Sequence, residues 1–380
     1  MKIAITTWHT GPNAGTFFQC YGLYSYLQSR GHEVKVIDYL HQQEDFLGRG
    51  FFYYASQAIP LLRRKLEKRK VCKQEIILQQ PFIDQIQERN RRIDEFWKII
   101  SLTSPVISGD DFEKLNSEFD AFVVGSDQVW NATMLNRRYF LDYVNADKLK
   151  VAYGPSIGVG TVLPAQRKVY KQYVANFTRV AVREKLLCDI LNEELPNLQA
   201  QHLLDPSMLC PREEYLKMAK LPQGVETVGY VLCYFAPNNI HQETVVRKYA
   251  EERKLKVVTM AMFGYSWTMK EDMIVCPDQT EFLGLILNAA AVFTSSFHCT
   301  IFSIFFHRDL FVFESKQVSK SATTNQRYIE QLNIYGISHR YIRWNENLNE
   351  SILKPIDYNI VERIFQKNLK DSYDFLNQIF

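Results

Sequence analysis

Short apolar runs alternate with amphipathic stretches along most of this chain. Residues 3–7 and 34–38 read as strands, and residues 17–30 between them repeat apolar positions at helical spacing until Gly31. The unit is β-α-β. Apolar strands recur at 119–124, 150–153, 179–182 and 201–204, separated by helical patterns at 165–176 and 184–194. A second series follows residues 206–222, with strands predicted at 227–234, 256–260, 291–294 and 310–313 and a helix at 241–253. Asp278, followed three residues later by Glu281, is a capping-box pattern that opens a helix running to Asn288. Residues 360–380 form a last amphipathic helix. Strands that are apolar throughout, with helices between them, predict an α/β fold whose mostly parallel sheets are covered on both faces.

At 380 residues the chain exceeds one ordinary core, so two domains are expected. The first covers 1–207 and is interrupted by a helical insertion at about 46–100. The second covers 208–350, and residues 351–380 are expected to pack back on the first domain. The insertion differs in composition from its surroundings. Residues 46–73 hold eight basic side chains, a single acid (Glu67) and the aromatic run Phe51, Phe52, Tyr53, Tyr54. Such a stretch suits either an exposed helix with a solvated face or an interfacial segment resting on anionic lipid.

Composition narrows the rest. A hydrophobic fraction of 46% with 23% charged residues is that of a soluble globular protein. The net charge of +3 gives no sign of nucleic-acid binding. Cys20, Cys72, Cys188, Cys210, Cys233, Cys276 and Cys299 are scattered and odd in number, without a Cys-x-x-Cys pair. That argues for reduced thiols and against a zinc site or any other metal centre. No apolar run approaches the roughly 20 residues that span a bilayer. The chain starts directly in a predicted strand, so a cytoplasmic location is expected, peripheral at the inner face of the membrane if residues 46–73 bind lipid.

Candidate chemistry collects where the predicted strands end, the place where open α/β sheets bind ligands. The strand at 291–294 runs into Ser295, Ser296, Phe297, His298, Cys299 and Thr300 at the start of an apolar helix. Free backbone N–H groups and the helix dipole favour an anion there, with Ser295, Ser296 and the backbone before Thr300 as its cradle. His298 can carry a proton near neutral pH. The strand at 119–124 ends in Gly125, Ser126, Asp127, Gln128, Val129, Trp130 and Asn131, and the strand at 179–182 ends in Arg183. Arg183 can grip a carboxylate or phosphate with two parallel hydrogen bonds, and Arg327 is a second candidate for phosphate. Asp127 can orient a hydroxyl or take its proton. His9, Asn13 and Gly15 lie in the first strand-to-helix loop, where ligand contact is common. Each has a structural rival: a cap for His298, an ion pair for Arg183 or Arg327, a turn for Asp127. Asp205-Pro206 reads as a turn that ends a strand, and Cys299 as packing.

These stretches resemble the polysaccharide pyruvyl transferase family. The resemblance runs in order through Asn13-Ala14-Gly15, Phe119 to Asn131, Tyr139-Phe140-Leu141, Ser156-Ile157-Gly158, Val182 to Lys185, Leu204 to Ser207, Ser296 to Thr300 and Asn325-Gln326-Arg327. Two departures are Cys299, where the family usually has glycine or alanine, and Ala14, where it usually has tyrosine. The resemblance implies two Rossmann-like domains facing a cleft, similar to GT-B glycosyltransferases. It further implies phosphoenolpyruvate as co-substrate, no bound cofactor, and a sugar or lipid-linked oligosaccharide as acceptor of a cyclic pyruvate ketal in capsular or exopolysaccharide synthesis. His298, Asp127 and Arg183 would then be catalytic. Ser126, Asn131, Ser295, Ser296, Thr300, Arg327, Asn13, Gly15 and His9 would bind substrate. A GT-B glycosyltransferase using a nucleotide sugar, or a non-catalytic sugar-binding assembly protein, remains open beside this reading.

Overall fold

The segment Ala121–Val124, Ala-Phe-Val-Val, is buried at every position, as a strand covered on both faces must be. In the computed structural model, which describes residues 1–47, 77, 79–227, 229–235, 240–261, 273–315 and 325–380, it is the third strand of a parallel sheet. That sheet joins β1 (Lys2–Thr6), β2 (Glu33–Val36), β3 (Ala121–Val124), β4 (Leu149–Tyr153), β5 (Arg179–Val182) and β6 (Gln201–His202) in the order β2-β1-β3-β4-β5-β6. A second parallel sheet joins β7 (Tyr230–Tyr234), β8 (Lys256–Met260), β9 (Met273–Val275), β10 (Ala291–Thr294), β11 (Asp309–Phe313) and β12 (Tyr341–Ile342) in the order β12-β11-β10-β7-β8-β9. The winding reverses between β1 and β3 in the first sheet and between β7 and β10 in the second. Loops diverge at such points and leave a crevice at the carboxyl ends of the strands.

The edge strands β9 and β12, of three and two residues, were not expected from the sequence, because so short a run carries no readable period. The helices Gly109–Glu118 and Gln326–Ile334 were not expected either. The helix Gln279–Asn288 begins at the Asp278–Glu281 capping box, with both reciprocal hydrogen bonds formed. Of the basic segment 46–73, only Phe46 and Leu47 are described, and the Leu47 N–H donates to the Leu135 carbonyl at 2.8 Å. The rest of that membrane expectation lies outside the described residues. No helix among the described residues is long and apolar enough to cross a membrane. The six described cysteines are all buried, and none of them forms a disulfide among the described residues.

The two sheets share a continuous apolar core. Phe18, on the helix Ala14–Ser29, packs edge-on against Tyr215 at 5.5 Å and Phe302 at 5.1 Å between ring centroids. Each such ring contributes about 1.5–3 kcal/mol on burial, so this junction is a core rather than a loose hinge. The same helix lies directly on the turn Pro206–Met208. A Cβ at Gly22 would stand 2.0 Å from the Pro206 carbonyl oxygen, so only glycine permits that approach. The last helix, Tyr358–Asn377, returns to the first sheet. Tyr373 stacks on Tyr26 at 4.9 Å, Phe375 meets Tyr153, and the Tyr26 hydroxyl donates to Asn377 Oδ1 at 2.9 Å.

Candidate active site

Four strand ends converge between the sheets. Beyond β3, Asp127 adopts φ 62° and ψ −170°, a region nearly reserved for glycine that costs roughly 1–3 kcal/mol in an aspartate. Its surroundings hold it there: Oδ1 accepts the Gln128 N–H at 2.9 Å, Oδ2 accepts the Thr16 hydroxyl at 3.2 Å, and its carbonyl accepts the Ser156 N–H. Beyond β5, Arg183 is 2% exposed. Its Nη1 donates to Asp205 Oδ2 at 2.6 Å, and Nη2 stands 3.9 Å from Asp127 Oδ1. Glu184 lies next in the chain, taking the Ser156 hydroxyl and the Ile157 N–H.

Three carboxylates and one guanidinium would thus be buried together, and their charges settle accordingly. Burial opposes charge on Asp205, yet Arg183, His298 and Ser207 outweigh it and hold its carboxyl below the ordinary range. Burial pushes Glu184 up despite Arg183. Burial also opposes the Arg183 charge, but Asp205, Glu184 and Asp127 reverse the effect.

The second sheet supplies a ring platform and a buried imidazole. The helix Phe297–Phe305 starts immediately after β10, with Ser296 as its cap. The Phe297 ring carries the Arg183 guanidinium carbon at 4.4 Å from its centroid and that of Arg327 at 5.7 Å. Two like charges can share that neighbourhood because the ring face attracts both. His298 is 8% exposed, and its Nε2 stands 3.8 Å from Asp205 Oδ2. Burial drives its pKa down, opposed by Asp205 and Asp127 and reinforced by Arg183 and Arg327. From the other domain, Gly15 presses on the imidazole. A Cβ there would lie 2.0 Å from His298 Nδ1. Arg183 Nε and Nη2, Arg327 Nε and His298 Nε2 are shielded from water and have no hydrogen-bond partner among the described residues.

Sequence-predicted residues divide accordingly. Asp127, Arg183, His298, Arg327 and Gly15 come together, with Ser126 beneath them donating to the Gly154 carbonyl at 2.9 Å. Several others serve the scaffold. The Thr300 hydroxyl donates to the Ser296 carbonyl at 2.9 Å and is fully buried, so that side chain serves the first turn of its helix. Ser296 Oγ accepts the Cys299 N–H, and the Ser295 N–H donates to Tyr234. Asn131 closes its own turn, accepting from Thr133 and donating to Gln128. Asn13 caps its helix through Gly15 N–H. His9 lies apart in a groove beside Asp38, with Nε2 3.1 Å from Asp38 Oδ1.

Sequence reasoning missed Asp205, Glu184 and Phe297. Asp205 does make the expected turn, through Oδ1 to Ser207, but its second oxygen faces Arg183 and His298. A turn aspartate gives no sign of that second task. Cys299 is fully buried and burial pushes its thiol up to about 12, which leaves it as packing. Across the junction, Glu330 accepts the Lys185 N–H at 2.7 Å and faces His202 Nε2 at 3.3 Å, and burial raises it to about 7. Among the described residues, no cluster of three or more His, Cys, Asp or Glu could hold a metal ion.

The chain is similar in fold to Arabidopsis thaliana UGT89C1 complexed with UDP-L-rhamnose, at 9% identity and a TM-score of 0.53, covering 100% of this chain and 97% of that one. UDP-GlcNAc 2-epimerase from Methanocaldococcus jannaschii gives 9% identity and 0.48, covering 97% and 93%. Glycosyltransferase SnogD from Streptomyces nogalater gives 11% and 0.45, covering 99% and 99%. No curated protein matches the chain in sequence. The fold is the two-domain, Rossmann-like GT-B arrangement. The description of the polysaccharide pyruvyl transferase family matches residues 13–317, and the chain belongs to that family.

Proposed function

We propose that this transferase moves the pyruvyl unit of phosphoenolpyruvate onto two hydroxyls of one sugar, forming a cyclic ketal during surface polysaccharide synthesis. The observation that carries the reading is the set of buried, unpartnered donors on Arg183, Arg327 and His298. Leaving such groups unmet costs about 1–3 kcal/mol each, more when they are charged, so they fit a site that an anion completes. Phosphoenolpyruvate brings both a carboxylate and a phosphate, one for each guanidinium.

The chemistry then follows from the residues. A proton reaches the methylene carbon, the adjacent carbon becomes electrophilic, and an acceptor hydroxyl attacks it. The C–O bond to phosphate breaks, and a second hydroxyl closes the ring. Of the two hydroxyl protons, one balances the proton given to carbon and the other leaves with inorganic phosphate. Burial and the nearby guanidinium groups shift His298 toward its neutral form, and an arriving anion favours its protonated form, which suits delivery to carbon. Asp127 orients the attacking hydroxyl. The scheme requires no resident cofactor. A lipid-linked acceptor would place the protein peripherally at the cytoplasmic face of a membrane.

Incubation with phosphoenolpyruvate and candidate acceptors tests the proposal. Phosphate release matched by gain of one pyruvyl unit in the product is expected. Nucleotide release from a sugar nucleotide instead would make the chain a glycosyltransferase. Unchanged polymer pyruvate in a His298→Ala strain would make it a non-catalytic assembly protein.

A further inference from the structure

A second recess opens on the first sheet, beyond the carboxyl ends of β1 and β2. It is lined by Thr7, Trp8, His9, Thr10, Thr16, Asp38, Tyr39, Leu40, His41 and Tyr139. We infer that this groove is the acceptor subsite and holds a neutral sugar ring, with Asp38 accepting one of its hydroxyls. The inference rests on the pyruvyl transfer reading above and assigns the half of the reaction that the buried donors leave unassigned.

Charge separates the two recesses. The site around Phe297 gathers two guanidinium groups, whereas among the described residues no lysine or arginine lines the groove. An anionic donor therefore prefers the first, and the single carboxylate in the second repels it. The groove instead offers what an uncharged polyol can use: a carboxylate, an imidazole, hydroxyls and aromatic faces. Asp38 Oδ1 is taken by His9 Nε2, and the side chain keeps 23% of its surface in water, so its second oxygen remains available to a ligand hydroxyl. His9 is held from the other side by the Thr7 carbonyl at 3.2 Å, which fixes the pair.

The aromatic wall is equally fixed. His41 stacks on Tyr39 at 4.9 Å and shares a hydrogen bond of 2.6 Å with the Tyr139 hydroxyl, while Tyr39 donates to the buried Asp45. A rigid polar wall loses little entropy on binding.

One residue joins the two recesses. Thr16 lines the groove, and its hydroxyl donates to Asp127 Oδ2, while Asp127 Oδ1 faces Arg183. A sugar seated on Asp38 therefore abuts the wall whose far side receives the donor. Asp127 is the partition across which the hydroxyl must reach the electrophilic carbon.

Saturation-transfer NMR on the full chain, with methyl β-glycosides of glucose, galactose and mannose, tests the subsite directly. Asp38→Asn and Trp8→Leu are compared with the parent, and phosphoenolpyruvate affinity is measured in parallel. At least one glycoside should bind the parent, and each variant should weaken that binding about tenfold, the loss expected for a charged hydrogen bond or a ring contact. Phosphoenolpyruvate affinity should change less than about twofold, because neither residue faces the buried donors. Glycoside binding that survives both substitutions, or that is absent from the parent, overturns the subsite. Loss of phosphoenolpyruvate binding in the parent would instead overturn the pyruvyl transfer reading, and the glycoside result would still judge the groove.

Discussion

The two domains bring different kinds of residue to the cleft. The first sheet contributes Arg183, Asp205, Asp127 and Glu184, paired with one another or with backbone except at Arg183 Nε and Nη2. The second contributes Phe297, His298 and Arg327, whose polar atoms include donors without partners. One side is a structural ion network that also faces ligand; the other is presented chiefly to ligand. Stability and activity should therefore separate along the domain boundary. Losses on the first side should touch both, and losses on the second should touch activity alone.

The sharpest attempt to break this contrast is Arg183→Gln. It strands three carboxylates in the interior, so we expect loss of transfer together with roughly 3–5 kcal/mol of stability, read by denaturant unfolding. Full stability in that variant would end the idea of a network. His298→Asn is its counterpart. Transfer should fall about 10²–10⁴-fold, the usual worth of a positioned acid or base, with the melting temperature nearly unchanged. A large thermal shift there would mean that the ring is structural. Gly15→Ala refines the boundary itself. It displaces the imidazole from the first domain, so kcat should drop about 10²-fold while phosphoenolpyruvate affinity changes little.

Smaller effects probe the junction. Burial pushes the Glu330 carboxyl up to about 7 from its ordinary 4.5, so the folded chain holds that proton more tightly than the unfolded one. Folding then loses stability as pH rises from 4.5 to about 7, and the loss is complete above that range. Glu330→Gln should remove the loss while keeping an acceptor for Lys185 N–H. Its melting temperature relative to the parent should rise between about pH 5 and pH 8. A constant difference between the two pH values would contradict the shift. Cys299→Ala should cost only about 1 kcal/mol, with transfer rates unchanged.

Much of the fold was legible because its strands are apolar throughout and its helices carry a 3.6-residue period. The strands Arg179–Val182, Lys256–Met260 and Ala291–Thr294 fall where the pattern placed them. The two-domain expectation follows from the same alternation, now seen as two separate six-stranded sheets. The edge strands escaped because hydrogen bonding to a neighbour, not sequence period, defines them. The site was legible in part. Arg183, Asp127 and His298 stood out as polar residues at strand ends, where backbone geometry alone directs them to one place. Asp205 did not, because its turn role accounts for the sequence pattern and hides the second oxygen that faces Arg183 and His298. Thr300 is the converse case: its hydroxyl in the first helical turn satisfies the helix itself. Phe297 looks like one more core ring until two cations are found over it.

The contact between Gly15 and His298 carries a consequence for how this protein can vary. The ring proposed above to move the proton takes its position from a backbone surface in the other domain. Neither domain could be exchanged for a homologous one, or tilted by even an ångström, without resetting the reactive nitrogen. The same contact offers a gauge of closure: a reporter on that imidazole, such as its ring-proton chemical shift, would read the distance between the domains at the point where chemistry depends on it.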